Sequence, residues 1–251
     1  MKRLNKYTVT LWLSAALILP GASADAVPLG TVDIYRSGHG ANTGVNVWAG
    51  GLSGTEMYAG VYMLQKTGGT GAGLYWPNGT IGAMCMEPEQ PAPDFGTTYN
   101  VEVPADNYNP VLSEFLGTAK ADYLGELWGR YYDPSWQQAG PYSPSENNAA
   151  SAFATAVWEI VYENEPISPL LWDVSTDGSP GINGFASLGA DAGLSNSWLH
   201  SLDGTGPKAT LAVFTHANGQ NFLVQVPEPT TIALFGLGGM FSIMRRRRRT
   251  A

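Results

Sequence analysis

Hydrophobic and polar residues alternate through the first half of the chain, a pattern typical of half-buried β-strands. Four segments with this alternation are predicted as strands: 31–35, 45–49, 57–63 and 99–103. The stretch 71–87 predicts a hairpin that turns at Pro77-Asn78-Gly79, with Leu74-Tyr75-Trp76 in its first arm. This part of the chain is therefore expected to form an antiparallel sheet.

After the last of these strands, apolar residues recur at helical spacing, first over 112–131 and again after Ser145. Ser145 is predicted to cap the second helix, which should end before Pro166. A shorter helix is expected around 192–202, and Asn218-Gly219 predicts a final hairpin. The order of elements predicts an α+β fold, with a largely antiparallel β-sheet or barrel and two to three packed helices.

The N-terminus has the three parts of a secretory signal peptide. Residues 1–6 are rich in basic side chains, residues 9–19 are mostly apolar, and Ala22-Ser23-Ala24 supplies small residues before a cleavage site. We expect cleavage before Asp25, so that residues 1–24 form the signal peptide.

The C-terminus carries a second targeting pattern. Pro227-Glu228-Pro229 precedes an uncharged, largely apolar stretch over 230–244, and five arginines follow: Arg245, Arg246, Arg247, Arg248 and Arg249. A helix of about 15 residues spans about 22 Å, which predicts a short transmembrane helix with the arginines on its cytoplasmic side. The chain is therefore divided into the signal peptide 1–24, one surface domain 25–226 and a sorting segment 227–251.

The order of Pro-Glu-Pro, apolar helix and arginine cluster resembles the PEP-CTERM sorting signal. The resemblance implies a membrane-bound exosortase as a partner, which removes the tail at or near Pro227-Glu228-Pro229. It implies a chain that is exported, anchored transiently in the inner membrane through its C-terminal helix, and then located at the cell surface or outside the cell. It also implies a bacterium with an extracellular polysaccharide matrix, so a polysaccharide or a matrix protein is the expected partner of the domain.

Charge and cysteine content exclude some classes of function. The formal net charge is −8, and without the two terminal segments five basic and 20 acidic residues remain, a net charge of −15. Such a body repels nucleic acid, so no nucleic-acid partner is expected. The single cysteine, Cys85, excludes an internal disulfide.

Cys85 and the second predicted helix resemble the thioester-type surface domain of Gram-positive adhesins. In that family a strand Cys, followed by an acidic-Pro turn, condenses with a helix Gln that lies two residues before an Ala-aliphatic-Trp-Glu run. Here Cys85 matches the Cys, Glu87-Pro88 matches the turn, and residues 156–159 match the helix run. Ala154 occupies the Gln position and has no carbonyl carbon to give, so the thioester bond is not expected on this alignment.

Other arrangements of reactive side chains remain as alternatives. Gln137 or Gln138, in the loop before the helix, could replace the missing Gln. Cys85 paired with a histidine would make a thiol-protease dyad. The histidines are scattered without metal-ligand spacing, so no metal site is predicted: His39, His200 and His216.

Pairs of carboxylates could act as acid and base on a glycan. Two such pairs are Glu87 with Glu89, and Glu159 with Glu163, which are four apart and share one helix face. With so many acids in the body, a solvated face is the favoured interpretation of both pairs. The aromatic groups at 74–76 and 128–136 could stack on sugars, although core packing is the favoured role.

These features together predict a non-enzymatic surface or matrix protein, sorted by an exosortase, that works in adhesion or scaffolding within an exopolysaccharide layer. No cofactor is expected. The first alternative is an active internal-thioester domain that bonds covalently to a matrix partner. The second is a secreted enzyme that acts on glycans or peptides.

Overall fold

The computed structural model describes residues 28–163, 168–176 and 184–228. The predicted signal peptide and the predicted transmembrane helix over 230–244 lie outside the described residues. No helix within the described ranges is long and apolar enough to cross a membrane.

The described chain contains strands and helices at the following positions. The strands are β1 (Gly30–Trp48), β2 (Thr55–Gly71), β3 (Gly79–Cys85), β4 (Thr97–Glu102), β5 (Tyr108–Asn109), β6 (Glu114–Phe115), β7 (Ala186–Leu188), β8 (Leu211–His216) and β9 (Gly219–Gln225). The α-helices are α1 (Gly117–Tyr131), α2 (Pro144–Tyr162) and α3 (Ala192–Leu199). Strands and helices both contribute, as the predicted α+β class requires.

Seven strands form one sheet in the order β2-β3-β9-β8-β4-β1-β7, and all of its pairings are antiparallel. An additional pairing between β1 and β2 closes six of the strands into a barrel, while β7 pairs with the far end of β1. β1 is long enough to serve both β4 and β7 because it runs for 19 residues. The sequence prediction of a largely antiparallel sheet is confirmed.

The barrel has an apolar interior and an apolar outer face, and the two alternate along each strand. On β8 and β9, Phe214 and Phe222 belong to the interior cluster, whereas Val213 and Leu223 belong to the cluster that includes the helices. Side chains point to opposite faces at successive strand positions, so both faces need apolar residues. Helix α2 packs across β1 and β2 on the outer face.

Helix α2 begins two residues before the predicted position. Ser143, rather than Ser145, is the N-cap, and its hydroxyl accepts from the backbone N–H of Glu146 while the Glu146 carboxylate accepts from the Ser143 backbone. This capping box satisfies two backbone donors at once, and Pro144 fits the first helical position because it has no N–H to lose.

Helix α1 begins at Gly117, although helical spacing starts at Leu112 in the sequence. The reason is that Glu114–Phe115 pairs with Tyr108–Asn109 as the short hairpin β5–β6. A backbone that is used in a ladder cannot also make helical hydrogen bonds, so the first turn of the predicted helix is lost.

The hairpin over 71–87 has a different first arm from the predicted one. Residues Ala72–Tyr75 form a 3-10 turn, and β3 pairs instead with the preceding strand β2, Lys66 opposite Gly79 and Val61 opposite Met84. A Cβ on Gly73 would lie 1.8 Å from the carbonyl oxygen of Thr31, so the chain needs glycine at this close approach. The final hairpin forms as predicted, with Phe214 opposite Phe222 across the Asn218-Gly219 turn.

Candidate functional site

Cys85 is the last residue of β3 and lies under α2, with 2% of its surface exposed. Burial raises the pKa of the thiol well above its ordinary value, while the indole of Trp158 on α2 opposes that rise. A neutral buried thiol is a poor nucleophile by itself. Any chemistry at Cys85 therefore requires a neighbour that is already in contact with it.

Gln220, the second residue of β9, is that neighbour. Its Nε2 atom donates to the Cys85 sulfur at 2.7 Å and lies 3.5 Å from the backbone carbonyl oxygen of Glu87. The Gln220 side chain is buried, and its Oε1 atom accepts no conventional hydrogen bond within the described residues. The structure thus brings a primary amide against the single thiol of the chain.

The sequence predictions missed Gln220 because its partner strand is distant in the chain. The Asn218-Gly219 turn predicts a hairpin immediately beside Gln220, and this is the local signal that the sequence carries. Strands β3 and β9 pair with Cys85 opposite Phe222. This pairing brings Cys85 into contact with Gln220, which lies 135 positions later in the chain.

The helix position that the family resemblance assigns to Gln is buried and holds Ala154 in the same apolar cluster as Cys85. Gln137 lies close to this strand but is used differently, because its Oε1 atom accepts from the backbone N–H of Gly82 at 2.9 Å. Gln138 uses its backbone carbonyl to accept from the Tyr142 hydroxyl. Neither of the two glutamines named in the sequence analysis hydrogen-bonds to Cys85 in the described structure.

Two carboxyl groups stand beside the thiol and the amide. Glu87 is 2% exposed, and its Oε1 atom accepts from Nδ2 of Asn221 at 3.0 Å. Burial, reinforced by the negative charge of Glu89, raises the pKa of Glu87 to about 8. Burial also raises the pKa of Glu89, whose carboxylate accepts from the Tyr162 hydroxyl.

The favoured interpretation of the carboxylate pairs as solvated faces is wrong. Glu159 and Glu163 on α2 are buried as well, with exposed fractions of 0% and 3%. The Oε1 atom of Glu159 accepts from the backbone N–H of Asp173 at 2.9 Å. Sequence spacing placed each pair together but could not tell which face of the helix or turn lies against the barrel.

Trp158 carries a buried indole N–H that has no conventional acceptor among the described residues. It lies one helical turn after Ala154, and residues four apart share a face of a helix. Because the indole opposes the rise in the Cys85 pKa, this donor is directed toward the sulfur. The site therefore combines a donor that faces the thiol, Trp158 Nε1, with an acceptor that has no conventional partner among the described residues, Gln220 Oε1.

The three histidines contact other groups. His39 lies against the rings of Tyr58 and Tyr62, His200 hydrogen-bonds the carbonyl of Trp172, and His216 accepts from the backbone of Asn218. None of them hydrogen-bonds to Cys85 in the described chain, so the thiol-protease arrangement has no support from contacts. No group of three or more metal-ligating side chains occurs within the described ranges.

The start of the sorting segment follows directly after β9. Pro227 and Glu228 line a cleft of about 440 Å³ with Trp76, Trp128 and Tyr132. The remaining residues of the predicted signal, Pro229 and Arg245, Arg246, Arg247, Arg248 and Arg249, lie outside the described residues.

Comparison with known proteins assigns a class to this chain through its C-terminal segment. A family model described as the PEP-CTERM protein-sorting motif matches residues 225–249. The chain is therefore an exported protein that an exosortase sorts, and its C-terminal region anchors it transiently in the membrane. No curated protein and no solved structure matches the chain at a significant level.

Proposed function

We propose that this chain is a non-enzymatic surface protein that works in adhesion or scaffolding within an extracellular polysaccharide layer. We further propose that it attaches covalently, through an internal thioester between Cys85 and Gln220. The observation that carries the second statement is the 2.7 Å contact between the Cys85 sulfur and Nε2 of Gln220. The proposal of a non-enzymatic surface role rests on the sorting motif and on the single use of an internal thioester, which reacts once per molecule.

Formation of the bond is a condensation without redox change. The sulfur attacks the amide carbon Cδ of Gln220, which is bonded directly to the contacting nitrogen. The S–Cδ bond forms, the Cδ–Nε2 bond breaks, and the thiol proton leaves with the nitrogen as ammonia. The product is a thioester, an activated acyl group, because a thiolate is a good leaving group.

The surroundings supply what this condensation needs. The Trp158 indole N–H, which faces the Cys85 sulfur, is a donor at the site for the oxygen that becomes negatively charged during attack, the role of an oxyanion hole. Glu87, with a pKa of about 8, can carry a proton near neutral pH. Burial of Cys85 keeps water away from the product.

Attachment follows when an amine or hydroxyl of a matrix molecule attacks Cδ and displaces the Cys85 sulfur. The result is an amide or ester bond to Gln220 and a free thiol. Because Gln220 is consumed, each molecule reacts once, as expected of an adhesin and not of an enzyme.

A non-covalent surface protein is the second candidate function. It is favoured by Ala154, which leaves the helix position of the resembling family without a carbonyl. Gln220 supplies the side-chain carbonyl that Ala154 lacks, but it lies on a strand and not on that helix. Ala154 therefore still marks a departure from the arrangement of the resembling family.

The intact mass of the purified exported protein, before and after methylamine treatment, tests the proposal. We expect a mass about 17 Da below that of the unreacted chain, and a gain of about 31 Da with methylamine, because the amine adds across the thioester. Cys85→Ala should have neither property, whereas Gln137→Ala should keep both. A full mass and a Cys85 thiol that alkylates after denaturation would leave the non-covalent candidate.

A further inference from the structure

A second cleft, of about 370 Å³, lies directly beside the Cys85–Gln220 site. Glu87 and Asn221 form part of its wall, and they are chain neighbours of Cys85 and Gln220. The rest of the lining comes from Gln90, from β4, from the end of β8 with the residue after it, and from residues 107–110 around β5. Its volume is in the range of small-molecule sites.

Most of the lining residues have polar side chains, and hydrogen bonds fix two of the amides, Asn221 and Asn107. Nδ2 of Asn221 donates to Glu87 at 3.0 Å and to Oδ1 of Asn107 at 3.0 Å. On the opposite side the Thr215 hydroxyl donates to Glu102 at 2.9 Å. Amides and hydroxyls can both donate and accept, as a ligand rich in hydroxyl groups requires.

One wall of this cleft is an exposed aromatic ring. Tyr108 is 45% exposed, and the ring of Phe115 supports it edge-on, with centroids 5.2 Å apart. The short β5–β6 ladder holds both rings. A supported aromatic face next to amides and carboxyls offers stacking for the apolar face of a pyranose and hydrogen bonds for its hydroxyls.

The charges of the lining disfavour both an anionic sugar and an amine. No lysine or arginine lines the cleft in the described chain, and two carboxyl groups stand against one histidine, His216. Burial raises the pKa of Glu87 to about 8 and also raises the pKa of Glu102. Carboxyls that hold protons more tightly than usual present less fixed negative charge to a cation.

We propose that this cleft binds a neutral pyranose unit of a polysaccharide, stacked on Tyr108 and hydrogen-bonded by Asn100 and Glu102. The binding is non-covalent and does not require the thioester. Together with the proposed function, on which this consequence rests, it makes the layer's own polysaccharide the attachment partner.

Saturation-transfer NMR on the exported protein carrying Cys85→Ser tests this binding without covalent reaction. The probes are glucose and N-acetylglucosamine, with glucuronic acid and glucosamine as charged comparisons. We expect transfer to a neutral sugar and a loss of about tenfold in affinity with Tyr108→Ala, because the stacking face is removed. Tyr75→Ala is the matched control: Tyr75 is 52% exposed and lies outside this cleft, so it should bind like the parent.

Three outcomes would overturn the inference: no transfer to either neutral sugar, equal affinity with Tyr108→Ala in a folded variant, or binding of glucosamine alone, which would make the cleft an amine site. The methylamine experiment separates this result from the proposed function. A live thioester without sugar binding contradicts only the cleft. Sugar binding without the mass deficit contradicts only the covalent bond.

Discussion

Two glutamines on the same strand, Gln220 and Gln225, are in opposite chemical situations. Gln225 at the end of β9 is exposed, and both of its oxygen atoms accept hydrogen bonds. Its side-chain oxygen accepts from the Trp128 indole at 3.1 Å, and its backbone carbonyl accepts from the Trp76 indole at 2.9 Å. Gln220 near the start of β9 is buried, its oxygen has no conventional partner, and its nitrogen contacts a thiol.

The difference separates a structural amide from a reactive one. Leaving a buried polar atom unpaired costs on the order of 1–3 kcal/mol, so folded proteins normally avoid it. Here Gln220 Oε1 has no conventional partner, and the Trp158 indole N–H faces only the Cys85 sulfur. Unpaired groups that cluster around a nucleophile favour a role in chemistry over a role in stability.

The largest expected effect comes from exchanging the amide for a carboxyl at each end of β9. Gln220→Glu should abolish the mass deficit and the methylamine adduct completely, because there is no longer ammonia to expel. Gln225→Glu is the matched control and should retain both. Intact mass spectra of the two variants decide the matter, and an adduct that survives in Gln220→Glu would exclude Gln220 as the acyl donor.

A second effect concerns Trp158 and Trp172, two buried tryptophans whose indole N–H groups have no conventional acceptor among the described residues. Trp158→Phe should slow the methylamine reaction by about 100-fold, the usual result of deleting one oxyanion donor. Trp172→Phe is the control, since Trp172 is equally buried and also lacks a conventional acceptor for its indole N–H. Both variants should lose similar stability. Equal rates for the two would show that the Trp158 donor plays no part.

A third effect is the pH dependence of stability that Glu87 causes beside the Cys85–Gln220 site. The pKa of Glu87 is raised from 4.5 to about 8 in the folded protein, so its contribution is complete below pH 4.5 and is lost as the pH rises through 8. In a Cys85→Ala background, the free energy of unfolding measured in urea should therefore fall by about 5 kcal/mol across this window through Glu87. Glu87→Gln should remove this part of the slope and leave the smaller part due to Glu89 and Glu102, whose pKa values are also raised. The exposed Glu56→Gln should preserve the full slope, and an unchanged slope in Glu87→Gln contradicts the assignment.

The smallest effect is expected at the structural end of the strand. Gln225→Ala deletes the acceptor of the Trp128 indole and should lower the free energy of unfolding by about 1 kcal/mol, as for an ordinary hydrogen bond. Its rate with methylamine should equal that of the parent protein. Denaturant unfolding gives the first quantity, and a change in the second would mean that the two ends of β9 are coupled.

Local features were predictable where a few neighbouring residues decide the outcome. The Asn218-Gly219 hairpin formed as predicted because the turn residues select their own geometry. Helix α3 also lies within its predicted range. The boundary of α1 was wrong because a neighbouring strand competed for the same backbone: Glu114–Phe115 pairs with Tyr108–Asn109 instead of beginning the helix.

The sequence by itself determined that this protein is exported and sorted, and it identified the single thiol. The sorting motif is read from consecutive residues, and one cysteine needs no structure to be singled out. Only the tertiary structure decided which amide meets Cys85 and which carboxyls are buried around it. The physical reason is that strand pairing joins residues far apart in sequence, and burial depends on which element covers each face. No local pattern of residues encodes either property.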